Sequence, residues 1–223
     1  MRKGSYSSFL LLGLLMLVLP AAPAAAQPLP QDVVTVANGS GPPGTVVDIP
    51  VYIRDTSGTP LGIDQPAGMR IQSYSLKVDY SPTSPIQSIT FTRAGITAGL
   101  TPAFESSPAV PGSISLIDTF AEGTNLIPFT SNAPLPGNQV AHLLVTLSGS
   151  ATPGTNITLT LDPLLTQLAN QAGTTTETVA NGRLLLVNGV ITVAPPGGAP
   201  TLSTWAMIIL ALSLAFVAIR FRS

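Results

Sequence analysis

Through the middle of the chain, hydrophobic residues recur at every second position. Between Thr45 and Arg54, Val47, Ile49, Val51 and Ile53 fall on one face and Asp48, Tyr52 and Arg54 on the other. Tyr74, Leu76, Val78 and Tyr80 alternate with Ser73, Ser75, Lys77 and Asp79. Ile157, Leu159 and Leu161 alternate with Thr158 and Thr160. Successive side chains of a strand point to opposite faces, so each set predicts a strand buried on one side only. Further strands are expected at Val33–Ala37, Ser88–Arg93, Ser113–Phe120, Val140–Ser148 and Arg183–Val193. Gly/Pro-rich turns separate them, at 38–44, Ser81-Pro82, 134–137 and 152–154. Many short strands joined by such turns predict an all-β fold, an antiparallel sandwich. One short helix is expected after Leu161. Asp162 would cap it, Pro163 would take its first position, Leu164, Leu165 and Leu168 would share a side, and Gly173 would end it.

The two ends break this pattern. Arg2 and Lys3 precede an apolar run of 11 residues, Phe9 to Leu19, and Ala24-Ala25-Ala26 follows Pro20. A run that short falls well below the ~30 Å of a bilayer core at ~1.5 Å per helical residue. The order of charge, apolar run and small residues is that of a secretory signal peptide, with cleavage by signal peptidase expected between Ala26 and Gln27. At the other end, a linker over 194–200, rich in Pro and Gly, leads to an apolar run from Ala206 to Ile219. A helix from Leu202 to Ile219 would be ~27 Å long, enough to cross a membrane with little tilt. Trp205 would sit at one interface, with Arg220 and Arg222 at the cytoplasmic one. The expected division is therefore signal peptide 1–26, sandwich 27–193, linker 194–200 and membrane tail 201–223.

Composition narrows the function. Only 9% of residues are charged. Outside the two ends, five basic residues (Arg54, Arg70, Lys77, Arg93, Arg183) face ten acidic ones. That leaves no basic stripe for a nucleic-acid backbone, so no nucleic-acid partner is expected. The absence of cysteine excludes disulfides, thiolate zinc sites, iron–sulfur clusters and cysteine nucleophiles. His142, the single histidine, lies within an apolar strand, and no Gly-x-Ser-x-Gly elbow accompanies it. A structural or surface role is expected for it. Ten acids could supply a glycosidase pair, but Asp48, Asp79 and Asp162 sit where solvated and capping acids are usual. No catalytic residue, cofactor or metal site is expected. Asp55 and Asp64 could ligate calcium, but no Asp-x-Asp-x-Asp-Gly loop holds them, and both read as solvated loop acids.

Two resemblances add to this. Pro200, Thr201, Leu202, Ser203 and Trp205, followed by the apolar run and by Arg220 and Arg222, resemble the Ile-Pro-Thr-Leu (IPTL) class of C-terminal sorting tags. The class usually has Ile where this chain has Ala199, and often Gly where it has Ala206. The resemblance implies a Gram-negative-type envelope. There the tail would hold the protein in the inner membrane until an exosortase-like sorting protease processes it for the cell surface or medium. A plain membrane anchor without processing is the alternative. The middle resembles the cohesin domain, a jelly-roll-like sandwich. The match runs through Val33-Thr35-Val36, Gly44–Val51, Tyr74–Pro82, Val140–Leu161 and Val187–Val193, in the family's order. It departs at Ser81, where Asp is usual, and in a long polar insertion at 54–70. The resemblance implies a non-catalytic docking module with a dockerin-bearing partner, or a role in extracellular polysaccharide handling. Other readings are a structural envelope protein without a dedicated partner, and a carbohydrate-binding module.

Overall fold

The computed structural model describes residues 29–196. Its strands are β1 (Asp32–Val36), β2 (Gly39–Gly41), β3 (Val46–Arg54), β4 (Ser73–Ser81), β5 (Ile86–Arg93), β6 (Phe104–Ser106), β7 (Ala109–Val110), β8 (Ser113–Thr119), β9 (Asn138–Leu147), β10 (Asn156–Leu161), β11 (Gln167–Ala169), β12 (Thr176–Glu177), β13 (Leu184–Val187) and β14 (Gly189–Val193). A 3-10 turn spans Gly95–Thr97. One sheet has the order β13-β1-β3-β9-β5. The second runs β12-β11-β4-β10-β14-β2, with β8 on the other flank of β4 and β6 and β7 beyond it.

The alternation read from sequence becomes the sandwich core. Ile49, Val51 and Ile53 of β3 and Leu143 and Val145 of β9 are fully buried, facing Leu76 and Val78 of β4, Leu116 of β8 and Leu159 of β10. Burying each such side chain contributes about 1.5–3 kcal/mol, and the sheets stay together by filling this shared layer.

Both terminal segments change sheets. β1 lies in the first sheet, antiparallel to β3, and β2 in the second, parallel to β14. The expected single strand Arg183–Val193 is split in the same way. β13 pairs with β1 in parallel and β14 pairs antiparallel with β10. The crossings meet at two asparagines. Asn38 Oδ1 accepts the Val190 N–H at 2.8 Å, and Asn188 Oδ1 accepts the Leu161 N–H at 2.9 Å. Gly189 is required there, because a Cβ would lie 2.4 Å from the Ala37 carbonyl oxygen.

The helix expected after Leu161 is not formed. Asp162 does cap a turn: its Oδ1 accepts the Leu164 and Leu165 N–H groups, and its carbonyl accepts that of Thr166. The chain then extends into β11, where Leu168 pairs with Tyr74 of β4 and is fully buried. Leu164 and Leu165 remain exposed, so the three leucines never share a side. Completing the second sheet outweighs a helix of a few turns that is marginal alone.

The sandwich has two unlike ends. Turns 42–45, 82–85, 110–113 and 148–154 close one end and carry no charged residue. Segments 55–72, 94–103, 120–137 and 170–183 close the other. That end holds Asp32, Asp55, Asp64, Glu105, Asp118, Glu122 and Glu177, with Arg54, Arg70, Arg93 and Arg183. Among the described residues no helix is long and apolar enough to cross a membrane. The signal-peptide residues Ala26 and Gln27 and the tail residues Pro200, Thr201, Leu202, Ser203, Trp205, Arg220 and Arg222 lie outside the described residues.

Candidate docking surface

The outer face of the second sheet is a field of short hydroxyl side chains. β4 contributes Ser73 and Ser75, β8 contributes Ser113, Ser115 and Thr119, and β10 contributes Thr158 and Thr160. Cross-strand register sets Ser75 beside Ile117, Lys77 beside Ser115, Asp79 beside both Ser113 and Thr160, and Ser73 beside Thr119. Ser73 and Thr119 hydroxyls bond to each other at 2.9 Å. Small side chains keep the face flat and leave hydroxyl donors and acceptors near solvent.

One charge cluster marks its centre. Lys77 Nζ lies 2.8 Å from Asp162 Oδ2 and 3.6 Å from Asp79 Oδ1. The hydrogen bond to Asp162 raises the Lys77 pKa, and the same bond, with the Leu164 N–H, holds the Asp162 carboxyl below its ordinary value. Lys77 is therefore a fixed cation across neutral pH. The outer face of the first sheet is more mixed. Val46 is exposed beside Asp48, and His142 Nδ1 lies 3.1 Å from Asp48 Oδ1. This partly buried His142 beside an exposed carboxylate sits in the surface role expected for it.

The charged end departs from expectation. Asp55, read as a solvated loop acid, is fully buried, as are Asp32, Asp118 and Glu177. Backbone amides of the 55–72 segment explain the arrangement. Thr56 N–H donates to Asp32 Oδ1 at 2.7 Å, Leu61 N–H to Glu177 Oε1 at 2.8 Å and Ile63 N–H to Asp55 Oδ2 at 2.8 Å. Three carboxylates from β1, β12 and the end of β3 thus clasp the polar insertion onto the sandwich, and Leu61 is buried beneath it. Burial raises the pKa of all three, and for Asp32 the neighbouring Glu177 adds to the rise. A proton shared between Asp32 and Glu177 satisfies the geometry, since Asp32 Oδ2 and Glu177 Oε2 are buried without another partner. Burial also lifts Asp118 to about 6 beside Tyr74, whose own pKa is raised by the same cause.

A signal for these acids was present in the alternation. Asp55 continues the inward parity of Val47, Ile49, Val51 and Ile53, Asp32 that of Val34 and Val36, and Asp118 that of Ile114 and Leu116. Glu177 had no such signal, because its two-residue strand has no period to read.

No family model matches the chain, and no curated protein does. Solved structures share its fold. The chain is similar to the cohesin CaCohA2 from Clostridium acetobutylicum, at 21% identity and a TM-score of 0.50 over 77% of this chain and 95% of that one. It is similar to the third cohesin of ScaC from Acetivibrio cellulolyticus, solved with the ScaB dockerin, at 18% identity and a TM-score of 0.52 over 74% and 99%. It is also similar to the OlpA cohesin from Clostridium thermocellum in a cohesin–dockerin complex, at 14% identity and a TM-score of 0.51 over 73% and 99%. The fold of 29–196 is accordingly the cohesin-type β-sandwich expected from the sequence.

Proposed function

We propose that this chain is a non-catalytic docking protein whose sandwich binds a dockerin-bearing partner through the outer face of β4, β8 and β10. The observation that carries this reading is the extent of the likeness. The sandwich aligns with 95–99% of these cohesins, two of which were solved with dockerins bound. The flat hydroxyl face around Lys77 supports the choice of surface. A standard interface of about 800 Å² per partner carries roughly ten hydrogen bonds, and this face offers a dense set of small donors and acceptors. Interleaved seryl and threonyl groups also let a partner's backbone approach closely.

Delivery belongs to the same reading. The signal peptide would bring the chain out of the cytoplasm. The IPTL-type tail at Pro200–Trp205, with its helix, Arg220 and Arg222, would hold it in the inner membrane for an exosortase-like sorting protease. Mass analysis of the protein from cells tests this part, and a mature chain still ending at Ser223 removes the processing step.

The docking test is affinity capture on the full chain from exported proteins of the same cells, repeated with Ser115→Arg and with Thr90→Arg on the opposite sheet. We expect a captured protein bearing a dockerin. The Ser115 variant should lose that capture and the Thr90 variant should keep it. No capture, or equal capture by both variants, overturns the assignment.

A further inference from the structure

The clasp leaves one carboxylate pair without a bridging atom. Asp55 uses Oδ2 to accept the Ile63 N–H, and Asp64 uses Oδ2 to accept the Gly58 N–H at 3.3 Å. Their Oδ1 atoms both lie beside the α-carbon of Gly62. A Cβ on Gly62 would lie 2.7 Å from both, so the two oxygens are at most 5.4 Å apart, twice that distance. Asp55 Oδ1 is fully buried and has no hydrogen-bond partner, while Asp64 is exposed. Gly62 itself sits at φ +153°, a conformation that side-chain-bearing residues rarely adopt. Glycine therefore both permits the turn and keeps the space between the oxygens open.

A buried carboxylate oxygen without a partner is costly, because its lost hydration is not replaced. The buried Asp55 Oδ1 and the exposed Asp64 Oδ1, no more than 5.4 Å apart, present two oxygens to a hard cation with metal–oxygen distances of about 2.4 Å. We infer that Asp55 and Asp64 form a calcium site in the 55–64 turn, entered from the exposed Asp64 side. Among the described residues no group of three acidic or histidine side chains could hold a metal. The side-chain donor set is therefore these two carboxylates, with backbone carbonyls and water filling the shell. So few charged ligands place the site in the weak range, with a Kd of about 10⁻⁴–10⁻³ M. Binding would tie β3, through Asp55, to the turn that Asp32 and Glu177 also hold. This inference does not depend on the docking assignment, because it is read on the chain without a partner.

The test is thermal unfolding and titration calorimetry of the full chain in mild detergent, stripped with EGTA and returned to calcium. At about ten times Kd, the melting temperature should rise by roughly 3–6 °C. Magnesium should do much less, since it demands a tighter octahedral shell. Asp64→Asn, at an exposed position, keeps the fold and should weaken calcium binding about tenfold or more. Asp55→Asn should abolish it. A melting temperature indifferent to calcium up to ~10 mM overturns the site. So does an equal calcium response in the Asp64 variant, which would locate the cation elsewhere. A fall in stability with rising pH that is shallower in Asp55→Asn than in wild type, with no calcium response, would identify a shared proton between the two oxygens instead.

Discussion

The two ends of this sandwich are made from the same strands and share almost nothing else. One is closed by short Ser, Pro and Gly turns without a single charge. The other is closed by longer segments, which together with the adjoining strand ends carry seven acids and four arginines. At the uncharged end the backbone largely satisfies itself, as where Thr45 N–H and its hydroxyl both donate to the Pro42 carbonyl. At the charged end, backbone amides depend on carboxylates that arrive from distant parts of the chain. Arginines there serve carbonyls as well: Arg54 Nε donates to the Ala133 carbonyl, and Arg93 donates to those of Thr97 and Leu100. Turns that fold on local chemistry tolerate changes in solution conditions. Loops tied down by buried ionisable groups do not, because their ties change charge.

The sharpest way to break this comparison is pH. The folded Asp32–Glu177 pair keeps a proton that the unfolded chain releases above the ordinary carboxylate range. Between the two pKa values the unfolded state binds fewer protons, so stability falls as pH rises. It is fully present below about pH 4 and is lost upward through the raised folded pKa, at up to about 1.4 kcal/mol per pH unit for each proton held. Denaturant melts between about pH 5 and pH 9 should show this decline, and Asp32→Asn should make it shallower, leaving the smaller part due to Asp55 and Asp118. A flat profile in wild type would mean that the pair is not protonated.

Next in size is removal of the clasp itself. Asp32→Ala leaves the Thr56 amide without its acceptor and Glu177 without its partner, and should cost about 2 kcal/mol at pH 5. Amide exchange should locate the loss in segment 55–72 rather than across the core. The smallest effect belongs to the other end, where Thr152→Lys adds a charge to a solvent-facing turn. We expect it to change stability by no more than about 0.5 kcal/mol and to leave the pH profile unaltered.

The sequence made the sandwich legible because its strands bury one face each, and a period of two is all that requires. The boundaries of β3, β4 and β10 follow directly from alternating residues such as Val47 and Asp48. The short strands β2, β6, β7, β11 and β12 offered no period. β11 was misread because Pro163 and the leucines after it favour a helix only when the rest of the sheet is ignored. The exchange of β13 for β14 between sheets depends on Asn38 accepting from the distant Val190 N–H and Asn188 from the Leu161 N–H, contacts no local pattern encodes. The charged end was hidden for a different reason. Asp32, Asp55 and Asp118 keep inward parity, yet charge alone makes Asp55 read as a solvated loop acid, although a carboxyl that holds a proton or pairs with backbone amides can be buried.

The last described strand also fixes how this molecule would bear load. β14 runs toward the uncharged end, and Val193 leaves it where the Gly154 N–H grips its carbonyl. A tether drawn taut from residue 194 onward would pull along β14, parallel to β2 and antiparallel to β10. Four register pairs on one side and three on the other would then be sheared together instead of parting one after another. The charged loops, at the far end of the strands, would feel none of that tension first, so the fold separates the point that is pulled from the end that responds to its surroundings.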